Sequence, residues 1–211
     1  MAQRKDGMET LNRILNSACE VFAENGFHAS KVAEICKRAG ANVSAVNYYF
    51  GDKATLYVRA WQKAFEKCVK NSLPDTAAGT SPENRLRAYI YLLIQDFYDQ
   101  SDYGQFTRLY LMELVKPTGL IQDIWRKMIE PRRQLMIEII KKIMKKETTD
   151  ETVLFCEMSI INQCRTLLTI RRSDLEYFIG QPISPDLVKK MAEHITRFSL
   201  AGIKEAGKIN F

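Results

Sequence analysis

The sequence predicts an all-α protein in two parts: a small N-terminal three-helix head containing a helix-turn-helix, and a larger helical bundle. Three observations carry this expectation. Apolar residues return every three or four positions along most of the chain, the spacing that lines one side of an α-helix. Between Lys31 and Phe50, KVAEICKRAGANVSAVNYYF holds a short helical pattern, a glycine and a second helical pattern. The stretch Ser72 to Ser81 then breaks the periodicity with proline, glycine and small polar residues, and marks a boundary. At 211 residues the chain is long enough to bury a core in each part.

Taken in order, Met1 to Met8 is polar, carries Arg4 and Lys5, and is expected to be a disordered tail. A first helix from about Glu9 to Asn25 puts Leu11, Ile14, Leu15, Ala18, Val21 and Phe22 on one stripe, and Asn25-Gly26 ends it. Ser30 stands where an N-cap would accept a free backbone N–H of the next helix, whose Val32, Ile35, Cys36 and Ala39 share a side. Gly40 can take the left-handed conformation that closes a helix, and Asn42 can cap the helix after it. From Val43 to Phe50, Val46 and Phe50 face inward. Val43, Ser44, Asn47, Tyr48 and Tyr49 then present small apolar, hydroxyl and amide groups, which suit base edges and phosphates in a major groove. Gly51-Asp52-Lys53 comes next as a stop, a cap and a cation in the first turn of another helix. A lysine there opposes the helix dipole, so a phosphate partner explains it better than local stability does. The fourth helix, Asp52 to about Asn71, turns Leu56, Ala60, Trp61, Ala64, Phe65 and Cys68 inward. The head is therefore bounded at residues 9–71, the linker at 72–81 and the second domain at 82–211.

In that second domain, Ser81-Pro82-Glu83 opens a helix bearing Leu86, Tyr89, Ile90, Leu93, Ile94 and Phe97. Another runs from about Tyr103 to Val115 and stops before Pro117. The next, about Gly119 to Lys145, must kink or split at Pro131, which lacks a backbone donor and clashes with the preceding turn. Thr148 to Glu151 reads as a capping box that begins a helix lasting to about Arg172, apolar around much of its circumference. Such a helix is either fully buried or half of an interface. Ser184-Pro185-Asp186 starts the last helix, with Leu187, Val188, Met191, Ala192, Ile195, Phe198 and Ile203 on one side.

The head carries the residues of a known family. Ile14-Leu15, Ala18, Phe22-Ala23-Glu24, Gly26-Phe27, Val32-Ala33, Ile35, Ala39-Gly40, Tyr48, Phe50, Lys53 and Leu56-Tyr57 fall in order and without a gap over about the first 60 residues. In these the chain resembles the tetracycline-repressor (TetR) family of bacterial transcription regulators. Asn42 and the run Val46 to Lys53 look most like its CecR-like branch. It departs from the usual pattern at Asn42, where the family commonly has serine or threonine, and at Tyr49, where histidine is frequent.

The resemblance implies a homodimeric repressor with double-stranded operator DNA as partner and a small-molecule effector of unknown identity. It places Thr10, Lys31, Asn42, Val43, Ser44, Asn47, Tyr48, Tyr49 and Lys53 at the DNA, with Thr10 on a phosphate. It also implies that the two C-terminal helices pair with their copies, so that Leu154, Met158, Ile161, Leu168, Met191, Ile195 and Phe198 form the dimer interface. Polar residues set in the apolar helices of the second domain could orient an effector in a mostly apolar cavity, for which Phe97, Arg108, Met112, Glu113, Trp125 and Gln163 are the candidates.

Charge agrees with a polyanionic partner. Residues 1–70 hold 11 Lys and Arg against 7 Asp and Glu, while the remainder holds 20 against 18. An enzyme is not expected. The two histidines, His28 and His194, stand apart, no nucleotide, nucleophile-elbow or zinc-protease motif occurs, and neither histidine has a cysteine or a second histidine at ligand spacing. No cofactor and no metal are expected. The cysteines lack a CxxC pair and read as reduced core residues; Cys156 and Cys164, about 12 Å apart along one helix, cannot pair internally. No apolar run spans a membrane and no signal-peptide core is present, so a cytoplasmic protein is expected. The alternative is a helical interaction module with a basic nucleic-acid- or membrane-binding face and no effector, for which Lys141, Lys142, Lys145 and Lys146 offer a small cluster.

Overall fold

The computed structural model describes residues 2–69, 79–98, 104–147 and 150–208, with side chains from Asp6 to Lys67 in the first stretch. All regular structure among these is helical: α1 (Ala2–Ala29), α2 (Val32–Ala39), α3 (Val43–Phe50), α4 (Lys53–Val69), α5 (Pro82–Tyr98) and α6 (Gly104–Val115). Then come α7 (Gln122–Ile124), a π-turn (Trp125–Ile129), α8 (Glu130–Met144), α9 (Glu151–Cys164), α10 (Thr166–Thr169), α11 (Arg172–Ile179) and α12 (Pro185–Ala206). The chain divides into two compact units, Met1–Lys70 with Gln100–Trp125, and Asn71–Asp99 with Arg126–Phe211.

In the first unit α1, α2, α4 and α6 pack around Ile14, Ala18, Val21, Phe22, Ile35, Leu56, Tyr57, Trp61 and Leu109, all fully buried. Gly26 interrupts α1 as expected, but two other expectations need correction, the tail before α1 and the Ser30 cap after it. Its start is helical from Ala2, not a disordered tail, and Gly7 lies so close to α3 that a Cβ there would meet the Tyr49 hydroxyl at 3.2 Å. Its end is shaped by buried Gly26, whose φ of 69° and ψ of 175° belong to a region that essentially only glycine occupies. That turn leaves the carbonyls of Val21 and Gly26 open. Ser30 fills them, donating at 3.1 and 2.6 Å, and so completes α1 instead of capping α2, whose N-cap is Lys31 without a side-chain bond.

The larger surprise is α6. It lies in the stretch expected as the second domain, while its contacts group it with the head. Its Phe106 ring lies 5.0 Å from Trp61 and 5.1 Å from Phe65, both edge-on, so aromatic packing against α4 decides where α6 belongs.

In the second unit α5, α8, α9 and α12 enclose Leu86, Ile90, Ile94, Met136, Ile140, Val153, Cys164 and Val188. The helical run 122–144 is continuous across Pro131 and not split, with a π-turn in place of a break. The preceding π-turn absorbs the irregularity, and the proline sits in the first turn of α8, where its missing N–H costs nothing. α8 closes on Lys145 in the left-handed conformation, φ 58°. The cap of α9 is Asp150, which accepts from the Val153 N–H at 3.0 Å; Thr148 of the expected capping box lies outside the described residues, as do most of the linker and the Cys68 side chain.

The helix expected to reach Arg172 ends at Cys164. Thr169 bonds back to the Arg165 carbonyl at 3.1 Å, Ile170 is extended, and a separate α11 follows, closed by Gly180 at φ 75°. Ser184 then caps α12 by accepting from the Leu187 N–H at 3.2 Å. Burial raises the thiol pKa of Cys19 to about 11 and of Cys164 to about 12, so both stay protonated, apolar core groups at neutral pH.

Candidate nucleic-acid interface

The α2–α3 pair is built by two residues that close one helix and open the next. Gly40, at φ 59° and ψ 40°, ends α2, and the Ala41 N–H reaches back to the Cys36 carbonyl at 3.0 Å. The Asn42 side chain then accepts from the Ala45 N–H at 2.8 Å and starts α3. One face of α3 anchors it: Val46 and Phe50 are buried. The opposite face is open, with Ser44 and Asn47 exposed, Val43 47% exposed and Tyr48 83% exposed.

Of the remaining residues expected at DNA, Lys31 is exposed and Thr10 is half-buried, its hydroxyl accepting from Arg13 at 3.3 Å. Tyr49 is half-buried. Its ring meets Tyr48 edge-on at 5.0 Å and its hydroxyl faces Gly7, so its first role is to seat α1 against α3. Lys53 is half-buried, its ammonium 4.6 Å above the Phe27 ring; burial pulls its pKa below the usual lysine range. Asp52 caps α4, accepting from the Thr55 N–H at 2.7 Å, and that bond holds its carboxyl below the usual range.

Two networks that sequence reasoning missed hold this surface in place. Arg38 grips Glu24 of α1 with two bonds, 2.9 and 2.7 Å, and Glu34 of its own helix with a third, 2.6 Å. The hydrogen bond from Arg38 lowers the Glu24 pKa. A guanidinium held by two carboxylates is spent on fastening α2 to α1. Below it, the buried hydroxyl of Tyr57 donates to Glu113 Oε1 at 2.7 Å, and Glu113 also accepts from the Thr118 hydroxyl at 2.7 Å and N–H at 3.1 Å. Burial, seconded by Glu113, pushes the Tyr57 phenol well above its ordinary pKa. One carboxylate thus ties α4 to α6 and to the turn after it. A lone acid in the apolar run GQFTRLYLMELV was the available signal for Glu113. Fourteen residues separate Glu24 from Arg38, beyond any helical spacing, so that pair left none.

The residues expected in an effector pocket fall in both units: Arg108, Met112, Glu113 and Trp125 in the first, Phe97 and Gln163 in the second. Arg108 is exposed, Met112 covers Gly26, and Trp125 stacks on Tyr110 at 5.3 Å. Phe97 packs on the second core, and the Gln163 amide donates to the Ser159 carbonyl at 3.2 Å. Within the second unit a different buried carboxylate, Glu157, pairs with the partly exposed Arg133 at 2.8 Å.

Of the expected dimer residues, Met158 and Phe198 are 56% and 61% exposed, Leu154, Ile161, Leu168 and Met191 are half-buried, and Ile195 is in the core of its own unit. Phe155, 55% exposed beside Met158, extends the apolar face. The basic cluster of the alternative is the end of α8. Lys141 pairs with Glu138 at 3.1 Å, Lys146 with Asp150 at 2.6 Å, and Lys145 forms the C-cap. Among the described residues no helix is long and apolar enough to cross a membrane, and no group of three or more His, Cys, Asp or Glu could hold a metal ion.

Comparison with known proteins agrees with this geometry. Residues 14–60 match the family described as bacterial regulatory proteins of the tetR family, and residues 82–203 match the C-terminal domain of the HTH-type transcriptional dual regulator CecR. The uncharacterized HTH-type transcriptional regulator YuxN of Bacillus subtilis is 26% identical over 188 residues, which cover 85% of this chain and 63% of that one. The HTH-type transcriptional regulator RutR of Escherichia coli K12 is 27% identical over 110 residues, 52% of this chain and 50% of that one. The chain thus spans about half to two thirds of the length of these curated relatives. The crystal structure of a transcriptional regulator from Rhodococcus sp. RHA1 is similar in fold, with a TM-score of 0.67 at 18% identity over 90% of this chain and 96% of that one. With its tetR-type head and a CecR-type domain over more than half its length, the chain belongs to the TetR family of helix-turn-helix transcriptional regulators, in the CecR branch.

Proposed function

We propose that the protein is a sequence-specific DNA-binding regulator that works in the cytoplasm as a homodimer and represses from a near-palindromic operator until a small molecule releases it. The observation that carries this is the division of α3 into a buried anchor, Val46 and Phe50, and an exposed face of Val43, Ser44, Asn47 and Tyr48. An α-helix, about 10–12 Å across with its side chains, fits a major groove (~12 Å wide) and can set its amide and hydroxyl on base edges. Asn47 suits bidentate contact with adenine, Ser44 either base edge, and Val43 a thymine methyl. Thr10, Lys31, Tyr48 and Lys53 surround this face as phosphate contacts, while Asn42 and Tyr49 serve it by holding α3 in place. The exposed apolar row of Phe155, Met158 and Phe198 is the surface that a second copy would cover, which sets two heads on half-sites about one helical turn (~34 Å) or a multiple apart.

The effector acts through α6. Glu113 is shared between Tyr57 and the Thr118 turn, so a small molecule that draws α6 or its carboxylate aside releases α4, which leads directly into α3. Of the candidates to bind it, Arg108, Met112 and Trp125 lie in the same unit as Glu113. A preference of about 1–3 kcal/mol for the released state lowers operator affinity roughly 5- to 150-fold, enough to free a promoter.

The test is fluorescence anisotropy with duplex DNA from immediately upstream of the protein's own gene, against unlabelled scrambled duplex of equal length. Binding that survives the competitor supports the proposal. Equal loss to both duplexes, repeated with fragments recovered from a genomic pull-down, refutes it.

A further inference from the structure

α11 holds two aromatic rings in solvent. Tyr177 is 83% exposed and Phe178 72% exposed, with their ring centroids 5.9 Å apart. The helix under them is anything but loose. Leu175 and Ile183 are buried in the second unit's core, and Arg172 bonds both Glu176, at 3.0 Å, and the Ile183 carbonyl, at 2.8 Å. Glu176 in turn accepts from the Ile183 N–H at 2.9 Å. The helix is thus pinned on one side, and its exposed positions are Arg172, Ser173, Tyr177 and Phe178. Rigid aromatic side chains presented in this way carry large contact area at small cost in conformational entropy, the profile of an interface anchor.

The same unit contains a matching depression. A groove of about 390 Å³ is floored by Leu187 and Ile195 and edged by Lys190, Met191, His194, Gln163 and Thr166. A cavity of about 150 Å³ accepts one benzene ring, so this groove has room for two. Because Met191 and His194 lie on α12 next to Phe198, the groove borders the apolar face assigned to a second copy; the His194 ring stacks on Phe198 at 6.3 Å.

We propose that Tyr177 and Phe178 insert into this groove on a second copy of the chain, each copy giving a pair and receiving one. A two-fold axis makes the contact reciprocal without any further surface. The proposal rests on the homodimer reading. Areas agree with it: one exposed ring pair can bury roughly 300 Å², so two pairs with the groove walls they cover remove roughly 1,200 Å², the low end of a stable interface, and the Phe155, Met158 and Phe198 face adds to that. The exchange thereby makes α11 a specificity element. A related regulator without a paired aromatic arm and groove would dimerise with this chain poorly, which keeps the two populations apart.

The test combines sedimentation equilibrium with photo-cross-linking. The full chain and the double variant Tyr177→Ser/Phe178→Ser are compared, and both positions are exposed enough that the unit's own core is untouched. A second form carries benzoylphenylalanine at position 177, mixed as ¹⁵N-labelled and unlabelled subunits. The proposal expects a wild-type dimer, a dimer dissociation constant at least 100-fold weaker in the double variant, and cross-links from position 177 to residues 187–195 of the other isotope. A wild-type dimer whose affinity the double variant keeps, or cross-links confined to one isotope, overturns the exchange and leaves the homodimer standing. A wild-type chain that is monomeric at tens of micromolar overturns the homodimer and the exchange together.

Discussion

Changing Tyr57 to phenylalanine removes one hydroxyl from the centre of the first unit and leaves the ring. The ring is 1% exposed, edge-on to Phe22 at 4.9 Å and tilted to Phe27 at 5.1 Å, so its packing survives the change. The loss is the 2.7 Å bond to Glu113. A hydrogen bond to a charged group contributes about 1.5–3 kcal/mol. Here Glu113 keeps both donors from Thr118, so the cost falls near the lower bound, about 1.5 kcal/mol. Glu113→Gln keeps the shape and changes the same bond, and the double variant should then cost less than the two singles together, with a coupling of about 1 kcal/mol. Urea unfolding followed by tryptophan fluorescence measures all four proteins; buried Trp61 reports on this layer. A Tyr57→Phe protein as stable as the parent, or singles that simply add, would refute the idea that this carboxylate ties α4 to α6.

Other substitutions test neighbouring parts of the structure. Gly26→Ala should cost about 1–3 kcal/mol, because its backbone conformation is nearly closed to alanine, and differential scanning calorimetry should show a lowered melting temperature even though the new methyl meets Met112 Sδ at an ordinary 3.5 Å. Burial raises the Tyr89 phenol to about 12 from an ordinary value of about 10. Its share of stability is therefore complete below about pH 10 and lost as pH rises toward 12, and Tyr89→Phe should flatten the alkaline end of the stability curve by on the order of 2 kcal/mol. Replacing Asn47 with alanine should relax preference at one base pair by about 1–3 kcal/mol in a mutated-operator panel. Lys53→Ala should instead weaken all sequences alike and reduce the salt slope by about one unit.

The helices were legible wherever periodicity and a cap coincided. α2 and α3 emerged from Gly40 and Asn42, and α12 from Ser184, because those signals lie within a few residues of the helix ends they control. Local rules failed where a distant partner decided. Ser30 looks like a cap, but the turn at Gly26 brings two backbone carbonyls within its reach. α6 has the pattern of any amphipathic helix, and only Trp61, Phe65 and Tyr57 across the fold assign it to the head. The long apolar run after Asp150 gave no hint of ending at Cys164, since a threonine such as Thr169 disturbs a helix only when its hydroxyl finds a backbone acceptor, here the Arg165 carbonyl. Among the site residues, the exposed face of α3 was readable from its 3.6-residue repeat. Tyr49 could not be assigned that way, because it is half-buried by Gly7, in the stretch expected to be disordered.

The central claim is that α3 selects a DNA sequence, and repeated selection from a pool of random duplexes by the full-length protein tests it most directly. The account predicts enrichment of a near-palindrome whose two halves are about one helical turn (~10 base pairs) or a multiple apart, with Asn47→Ala losing selectivity at a symmetric pair of positions while still retaining bound DNA. A pool that stays random after successive rounds, or an Asn47→Ala protein that enriches the same motif with the same stringency, would contradict it.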